Sequence, residues 1–328
     1  MREPRPDRRP ALRRFLLPSL LVLLLALAAP PGAPAQEDPD AKEPGAPYVP
    51  TPMGVVTEML ELAGITARDT VYDLGSGDGR LPITAARLYG SRGLGVELDS
   101  GLVARSRRHA REAGVDSLVR FVRGDLFETD IRPATVLTLY LFPGMNERLR
   151  PRILREMEPG NRVVAHDFSM GEWDADSVVT VRKRGGVQLP DGLFDGREEF
   201  GDRTTAADTL LPDVDAGTGR ATLYLWVIPA DVGGTWAFRL PGGESGRVRI
   251  DQRFQELRAA AVGGGIDTVS SARVHADSVE IRLVADGETL RLRGTVDGER
   301  MQGRSAAGEA WSARRTGDTD ASILEWEG

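Results

Sequence analysis

The segment Asp73-Leu74-Gly75-Ser76-Gly77-Asp78-Gly79 constrains this chain more than any other. It continues the strand-like run Thr70–Leu74 and precedes Leu81–Tyr89, where apolar residues recur at helical spacing. A strand, a turn with three glycines and a helix make the opening unit of an open α/β sheet. Glycine tolerates positive φ, so the backbone can turn sharply and approach a ligand closely. The helix that follows presents free backbone N–H groups to the same place. Ligands of such sheets lie beyond the carboxyl ends of the strands, near the topological switch point.

The alternation continues on both sides of the turn. A helix is expected over 52–63, ended by Gly64, and another over 102–113. Strands are expected over 93–98, 119–125, 136–140 and 162–166, with a helix over 146–157. Two last strands, 177–182 and 221–228, flank a Gly- and Asp-rich stretch that reads as a long insertion or loop. This pattern predicts a Rossmann-like, mostly parallel sheet of seven strands with an antiparallel strand at one edge. After residue 233 the period changes. Short alternating runs at 234–238, 246–257, 271–275, 278–284, 289–296, 300–304 and 311–314 are joined by turns such as Asp286-Gly287 and Asp297-Gly298. They predict a small antiparallel β-barrel or sandwich. Substrate recruitment, dimerisation, lipid binding in a barrel interior and a purely structural role all remain open for it.

The N-terminus has a different character. Six arginines precede an apolar run from Phe15 to Ala29, followed by Pro30-Pro31-Gly32 and Ala33-Pro34-Ala35. A basic stretch, an apolar core and an A-x-A site predict a signal peptide over 1–35 and an exported protein. An uncleaved segment would instead leave the protein anchored at a membrane. Residues 36–47 predict a disordered linker. The expected organisation is then a catalytic domain over 48–230, an all-β domain over 231–315 and a tail over 316–328. The chain has no cysteine, which excludes disulfides and thiol chemistry. Its net charge is −7 despite the basic N-terminus, which argues against a nucleic-acid partner.

Two more carboxylates fall at strand ends. Glu97 lies 18 residues after Gly79, where a carboxylate accepts from vicinal ribose hydroxyls. Asp125 follows the third strand, placed to accept from an adenine amino group. The loop reads G-x-G-x-G after Asp73, not the G-x-G-x-x-G of dinucleotide folds. An acidic residue there repels a pyrophosphate and favours a cation, such as the α-amino group or sulfonium of S-adenosylmethionine. A nicotinamide oxidoreductase conflicts with this spacing.

With Glu97 and Asp125, the span Asp73–Gly79 resembles the class I, seven-stranded S-adenosylmethionine-dependent methyltransferases. The runs Tyr48-Val49-Pro50-Thr51-Pro52, Tyr72–Arg80 and Gly95-Val96-Glu97-Leu98 look like the non-SET protein-lysine methyltransferases that act on the ATP synthase c subunit and the adenine nucleotide translocase. The resemblance implies that Asp73, Gly75, Ser76, Gly77, Gly79, Glu97 and Asp125 bind the cofactor. It also implies that the segment before the first strand folds over the methionine end, bringing Pro50, Thr51 and Pro52 to the cofactor.

The fourth strand ends in Tyr140-Leu141-Phe142-Pro143, where many methyltransferases carry an Asn/Asp-Pro-Pro-Tyr-like motif. Without an Asn or Asp to hold a planar amine, Tyr140 and Phe142 suggest an aromatic slot for a lysine side chain. The alternative is that both are core aromatics. Tyr140 is the candidate catalytic residue. If a base is needed, Tyr140, His166 and Asp167 are the candidates, although His166 reads equally as a structural histidine. His109 and His275 suggest no metal site. The leading reading is a methyltransferase, with a protein lysine or a small molecule as acceptor. The rival is an exported binding protein that kept the fold and lost catalysis.

Overall fold

The computed structural model describes residues 48–182 and 219–317. The predicted signal peptide, the linker, most of the insertion between the last two strands and most of the tail lie outside the described residues.

The first half alternates as expected: α1 (Met53–Leu62), β1 (Thr70–Leu74), α2 (Arg80–Tyr89), β2 (Arg92–Glu97), α3 (Ser100–Glu112), β3 (Val119–Arg123), β4 (Val136–Leu139), α4 (Pro143–Glu156), β5 (Arg162–His166), β6 (Ser177–Arg182) and β7 (Arg220–Val227). The seven strands form one sheet in the order β3-β2-β1-β4-β5-β7-β6. β1 pairs in parallel with both β2 and β4, so the switch point lies between β1 and β4, directly beyond Asp73. The four residues of β4 are all buried, which is why that strand is apolar with one threonine. One face of the sheet packs Leu137, Leu139, Leu149, Ile153 and Trp226, the other Val56, Met59, Leu60, Val71 and Leu223.

Two expectations for this sheet need correction. The antiparallel strand is β7, and it is not at the edge. It pairs antiparallel with both β5 and β6, leaving β6 outermost. The connection 167–176 carries the chain past β7's place, and β7 fills the gap on its return. α4 also begins three residues earlier than expected, at Pro143. Proline suits the first turn of a helix, where its missing N–H has no partner to lose.

The second half is β8 (Gly234–Arg239), β9 (Ser245–Arg253), β10 (Glu256–Gly264), β11 (Thr268–His275), β12 (Ser278–Ala285), β13 (Glu288–Asp297), β14 (Arg300–Ser305) and β15 (Ala310–Gly317). All pairings are antiparallel, and the first strand pairs with the last. The end strands β10 and β11 lie side by side, so the sheet nearly closes into an up-and-down barrel. The run 246–257, expected as one strand, is a hairpin that turns at Phe254 (φ 54°). Trp236, Phe238, Val248, Ile250, Ile281, Leu283, Leu292 and Trp311 form the core of this sheet, each at most 3% exposed.

The two sheets share packing. Phe254, at the tip of the β9–β10 hairpin, is 4% exposed within the core of the first sheet and stacks on Trp173 at 5.8 Å. The Trp173 indole N–H donates to Gln255 Oε1 at 2.8 Å, and Gln255 Nε2 donates to the Asp174 carbonyl at 2.8 Å. Arg253 pairs with Glu172.

Candidate active site

The site is assembled at the carboxyl ends of β1, β2, β4 and β5. Gly75, Gly77 and Gly79 all have positive φ. Gly75 N and Ser76 N both donate to the Val96 carbonyl, at 2.9 and 3.0 Å, which folds the loop back onto β2. At Gly77 and Gly79 conformation and space act together. A Cβ on Gly77 would come within 2.5 Å of the Tyr48 ring, and one on Gly79 within 2.6 Å of the Phe121 ring. Ser76 is buried, with its hydroxyl over Gly95, where a Cβ would lie 2.6 Å from Oγ. Ser76 thus presses the loop against β2.

Asp73 is the penultimate residue of β1, beneath this loop, and is 4% exposed. Thr138 Oγ1 on β4 donates to its Oδ1 at 2.7 Å. Burial pushes the Asp73 carboxyl up to about 7. The Thr138 hydrogen bond opposes that rise, and the charges of Glu97 and Asp78 add to it. A buried carboxylate among negative neighbours is what a cationic ligand would relieve. Glu97 is half-buried. Its Oε2 accepts from Gly77 N at 2.9 Å and its Oε1 from Asp99 N at 3.0 Å. A carboxylate offers about four lone-pair sites, so Glu97 holds the loop and can still accept from two hydroxyls. Asp125 follows β3. Its Oδ1 takes the Phe127 N–H at 2.8 Å, which fixes its turn.

The segment before α1 lies across the loop. Thr51 is 4% exposed. Its carbonyl accepts from Arg80 Nη1 at 2.7 Å, and its hydroxyl sits 3.3 Å from His166 Nδ1. Pro50 is half-buried beside it, and the Tyr48 ring covers Gly77. On the other side, the Tyr140 ring stacks on His166 at 3.9 Å and faces Phe168 at 6.3 Å, with Phe142 tilted against Phe168 at 6.4 Å. His166 is 1% exposed, with Nε2 3.3 Å from Asp167 Oδ2. Asp167 has φ 60° and is clamped to β7: its N–H donates to the Thr222 carbonyl at 2.7 Å, and its Oδ1 accepts from Thr222 N at 2.8 Å. Burial, with the nearby Asp167 charge, pushes the Tyr140 phenol up to about 12.

The family profile described as the ANTKMT methyltransferase domain matches residues 73–177, the stretch that carries these strand ends. A protein-lysine N-methyltransferase of Saccharolobus islandicus is 42% identical over 139 residues, covering 42% of this chain and 86% of its own length. The chain belongs to this family of S-adenosylmethionine-dependent protein-lysine N-methyltransferases. The lysine N-methyltransferase of the ATP synthase c subunit from Homo sapiens is 31% identical over 169 residues, covering 50% of this chain and 70% of its own length. A solved RNA methyltransferase from Salinibacter ruber, in complex with S-adenosyl-L-homocysteine, is 43% identical. That match covers 56% of this chain and 96% of the other, with a TM-score of 0.43.

In this methyltransferase every residue expected to bind cofactor lies along one edge of the sheet, from Asp125 through Glu97 and the glycine loop to Thr51. Their chemistry fits S-adenosylmethionine. Asp73 offers a buried negative charge to a cation, Glu97 and Asp125 offer acceptors, and the glycine loop offers close backbone. Three participants escaped sequence reasoning. Phe168 carried only its position two residues past a strand end. Asp78 lies in the glycine loop and Arg80 at the first position of α2, and no spacing pattern in the sequence marks either side chain.

Proposed function

We propose that this methyltransferase acts on the ε-amino group of lysine in a protein. The observation that carries the reading is the 42% identity to the Saccharolobus protein-lysine enzyme over 86% of that enzyme's length. The ring group Tyr140, His166 and Phe168 beside Asp167 is consistent with it, since aromatic faces and a carboxylate suit an aliphatic amine.

S-adenosylmethionine, when bound, supplies an electrophilic methyl group on a sulfonium. The chain's own work is binding, orientation and exclusion of water. Asp73 holds the cation, Glu97 and Asp125 fix the nucleoside, and Thr51 closes the methionine side. With its phenol held at about 12, Tyr140 keeps its proton at neutral pH. It therefore orients the amine through its hydroxyl oxygen and does not act as a base. The amine must arrive neutral, because only the free lone pair can attack.

The test is transfer of labelled methyl from S-adenosylmethionine to protein, RNA and small-molecule fractions of a cell extract. Label in protein, recovered as methyl-lysine after hydrolysis, supports the reading. Label confined to RNA or small molecules sinks it, and cofactor binding with no transfer at all favours a binding protein. Tyr140→Phe should lower kcat, by up to on the order of 100-fold, with little change in the KM for cofactor. The basic and apolar residues 1–35 support export as a second part of the proposal. A reporter fused at the C-terminus and found active only in the cytoplasm would overturn that part.

A further inference from the structure

Asp78 and Arg80 have no part in the transfer as described, yet they form a largely buried ion pair at the site. Their side chains are 5% and 15% exposed. Arg80 Nε donates to Asp78 Oδ1 at 2.9 Å and Nη2 to Oδ2 at 2.6 Å, while Nη1 donates to the Thr51 carbonyl at 2.7 Å. The Tyr48 ring fills the space above Gly77, and burial together with the nearby Asp78 charge pushes its phenol well above its usual range. One guanidinium therefore ties the strap 48–52 to the end of the glycine loop. Burying an ion pair adds little stability by itself, because desolvation offsets most of the attraction. What it supplies here is geometry, since a planar fork can hold a carboxylate and a carbonyl at once.

The pair also shapes the field at Asp73. The groups around that carboxyl are Glu97 from β2, Thr138 from β4 and Asp78 from the loop. Arg80 from α2 and Tyr48 from the strap reach it through Asp78. Asp78 is near enough for its charge to disfavour ionisation of Asp73, and Arg80 is the cation bonded to Asp78.

We propose that Arg80 is a positioning residue of the cofactor site, holding the strap shut over the glycine loop and shielding Asp73 from the charge of Asp78. The proposal rests on the reading that S-adenosylmethionine binds at this loop. It gives the Asp-Gly-Arg end of the loop a task separate from ligand contact.

The experiment is calorimetric titration of the full chain with S-adenosyl-L-homocysteine from about pH 6 to about pH 9, a range that brackets the Asp73 ionisation. Arg80→Ala should weaken binding at least about tenfold, a loss of ~1.4 kcal/mol. Arg80→Lys should fall between, because a point donor cannot satisfy both partners. In wild type, affinity rises with pH as Asp73 ionises. In Arg80→Ala the midpoint of that rise should move to higher pH, because Asp78 is then uncompensated. Adding Asp78→Asn to Arg80→Ala should return the midpoint toward wild type without restoring full affinity, since the strap remains untied. A merely structural role would lower the melting temperature and leave the midpoint in place, and that result would overturn the proposal. If Arg80→Ala does not fold, Arg80→Gln, which removes the charge and keeps a side chain of similar reach, carries the same comparison. Wild type that fails to bind the probe overturns both the cofactor reading and this one. Wild type that binds, beside an Arg80→Ala of equal affinity and equal midpoint, overturns this one alone.

Discussion

Asp73 sets folding against the cofactor binding proposed for it. An exposed aspartate titrates at ~3.9, whereas burial among Glu97 and Asp78 pushes Asp73 up to about 7 in the folded protein. The folded state thus prefers the protonated form, so its contribution is fully present below about pH 3.9 and is lost as pH rises through about 7. Asp73→Asn keeps an oxygen to accept from Thr138 and removes the charge. This variant should be more stable than wild type at pH 8, by a few kcal/mol at most, since a tenfold change in proton affinity corresponds to ~1.4 kcal/mol, and the gain should vanish toward about pH 4. It should also lose most of its affinity for S-adenosyl-L-homocysteine. Melting curves at the two pH values decide the point: equal or lower stability at pH 8 would show that the Asp73 charge is not strained. Residues of this kind were legible in the sequence, because a carboxylate at a strand's end beside a glycine turn has few purposes. Arg80 was not, because its partners, the Thr51 carbonyl and the Asp78 carboxylate, come together only once the strap has folded back across the loop.

Elements were legible wherever pattern and punctuation agreed. β1, β5 and β6 run as the sequence pattern predicts, and the turns at Asp286-Gly287 and Asp297-Gly298 join strands as expected. The β9–β10 hairpin was missed because alternation continues through Val248, Ile250, Gln252 and Phe254, and the turn itself contains no Gly, Asn or Pro. Phe254 takes a left-handed conformation that costs an ordinary residue about 1–2 kcal/mol. Its ring offsets this by stacking on Trp173 inside the other sheet's core. Phe254→Gly relieves the backbone and deletes the ring, so it sets the two effects against each other. The ring should dominate, leaving the variant less stable by about 2–4 kcal/mol in urea melts, and unchanged stability would show that the contact contributes nothing. A second element-level test lies in the barrel wall. Gly294 and Gly303 face each other across β13 and β14, and a Cβ on Gly303 would come within 1.9 Å of the Arg293 carbonyl. Gly303→Ala should break this pairing and lower the melting temperature markedly, whereas Gly298→Ala, with open space around its Cβ, should cost only its left-handed strain.

Across the whole molecule, the contact between sheets falls on the segment that shapes the acceptor side. The chain from Asp167 to Asp176 carries Phe168 and is held from both ends. Asn146 Nδ2 of α4 donates to the carbonyls of Phe168 and Ser169 at 3.2 and 3.3 Å, Arg150 donates to the Met170 carbonyl at 2.6 Å, and Trp173 is gripped by Phe254 and Gln255. This fastening ties the β9–β10 tip of the barrel to the segment 167–176. The barrel's packing is continuous with the elements that frame the site, so the two sheets should unfold together. Calorimetry of the full chain should show one transition, with calorimetric and van't Hoff enthalpies equal. Ligand linkage makes the same point more sharply. S-adenosyl-L-homocysteine at about 100 times its Kd should stabilise the native state by ~2.7 kcal/mol. If unfolding is cooperative, amide exchange in β12 and β13, strands of the barrel remote from the ligand, should slow by the same free energy as in β1 and β4. Protection gained in β1 and β4 alone, with β12 and β13 exchanging as before, would mean that the barrel opens on its own and that its grip on Trp173 does not couple it to the site.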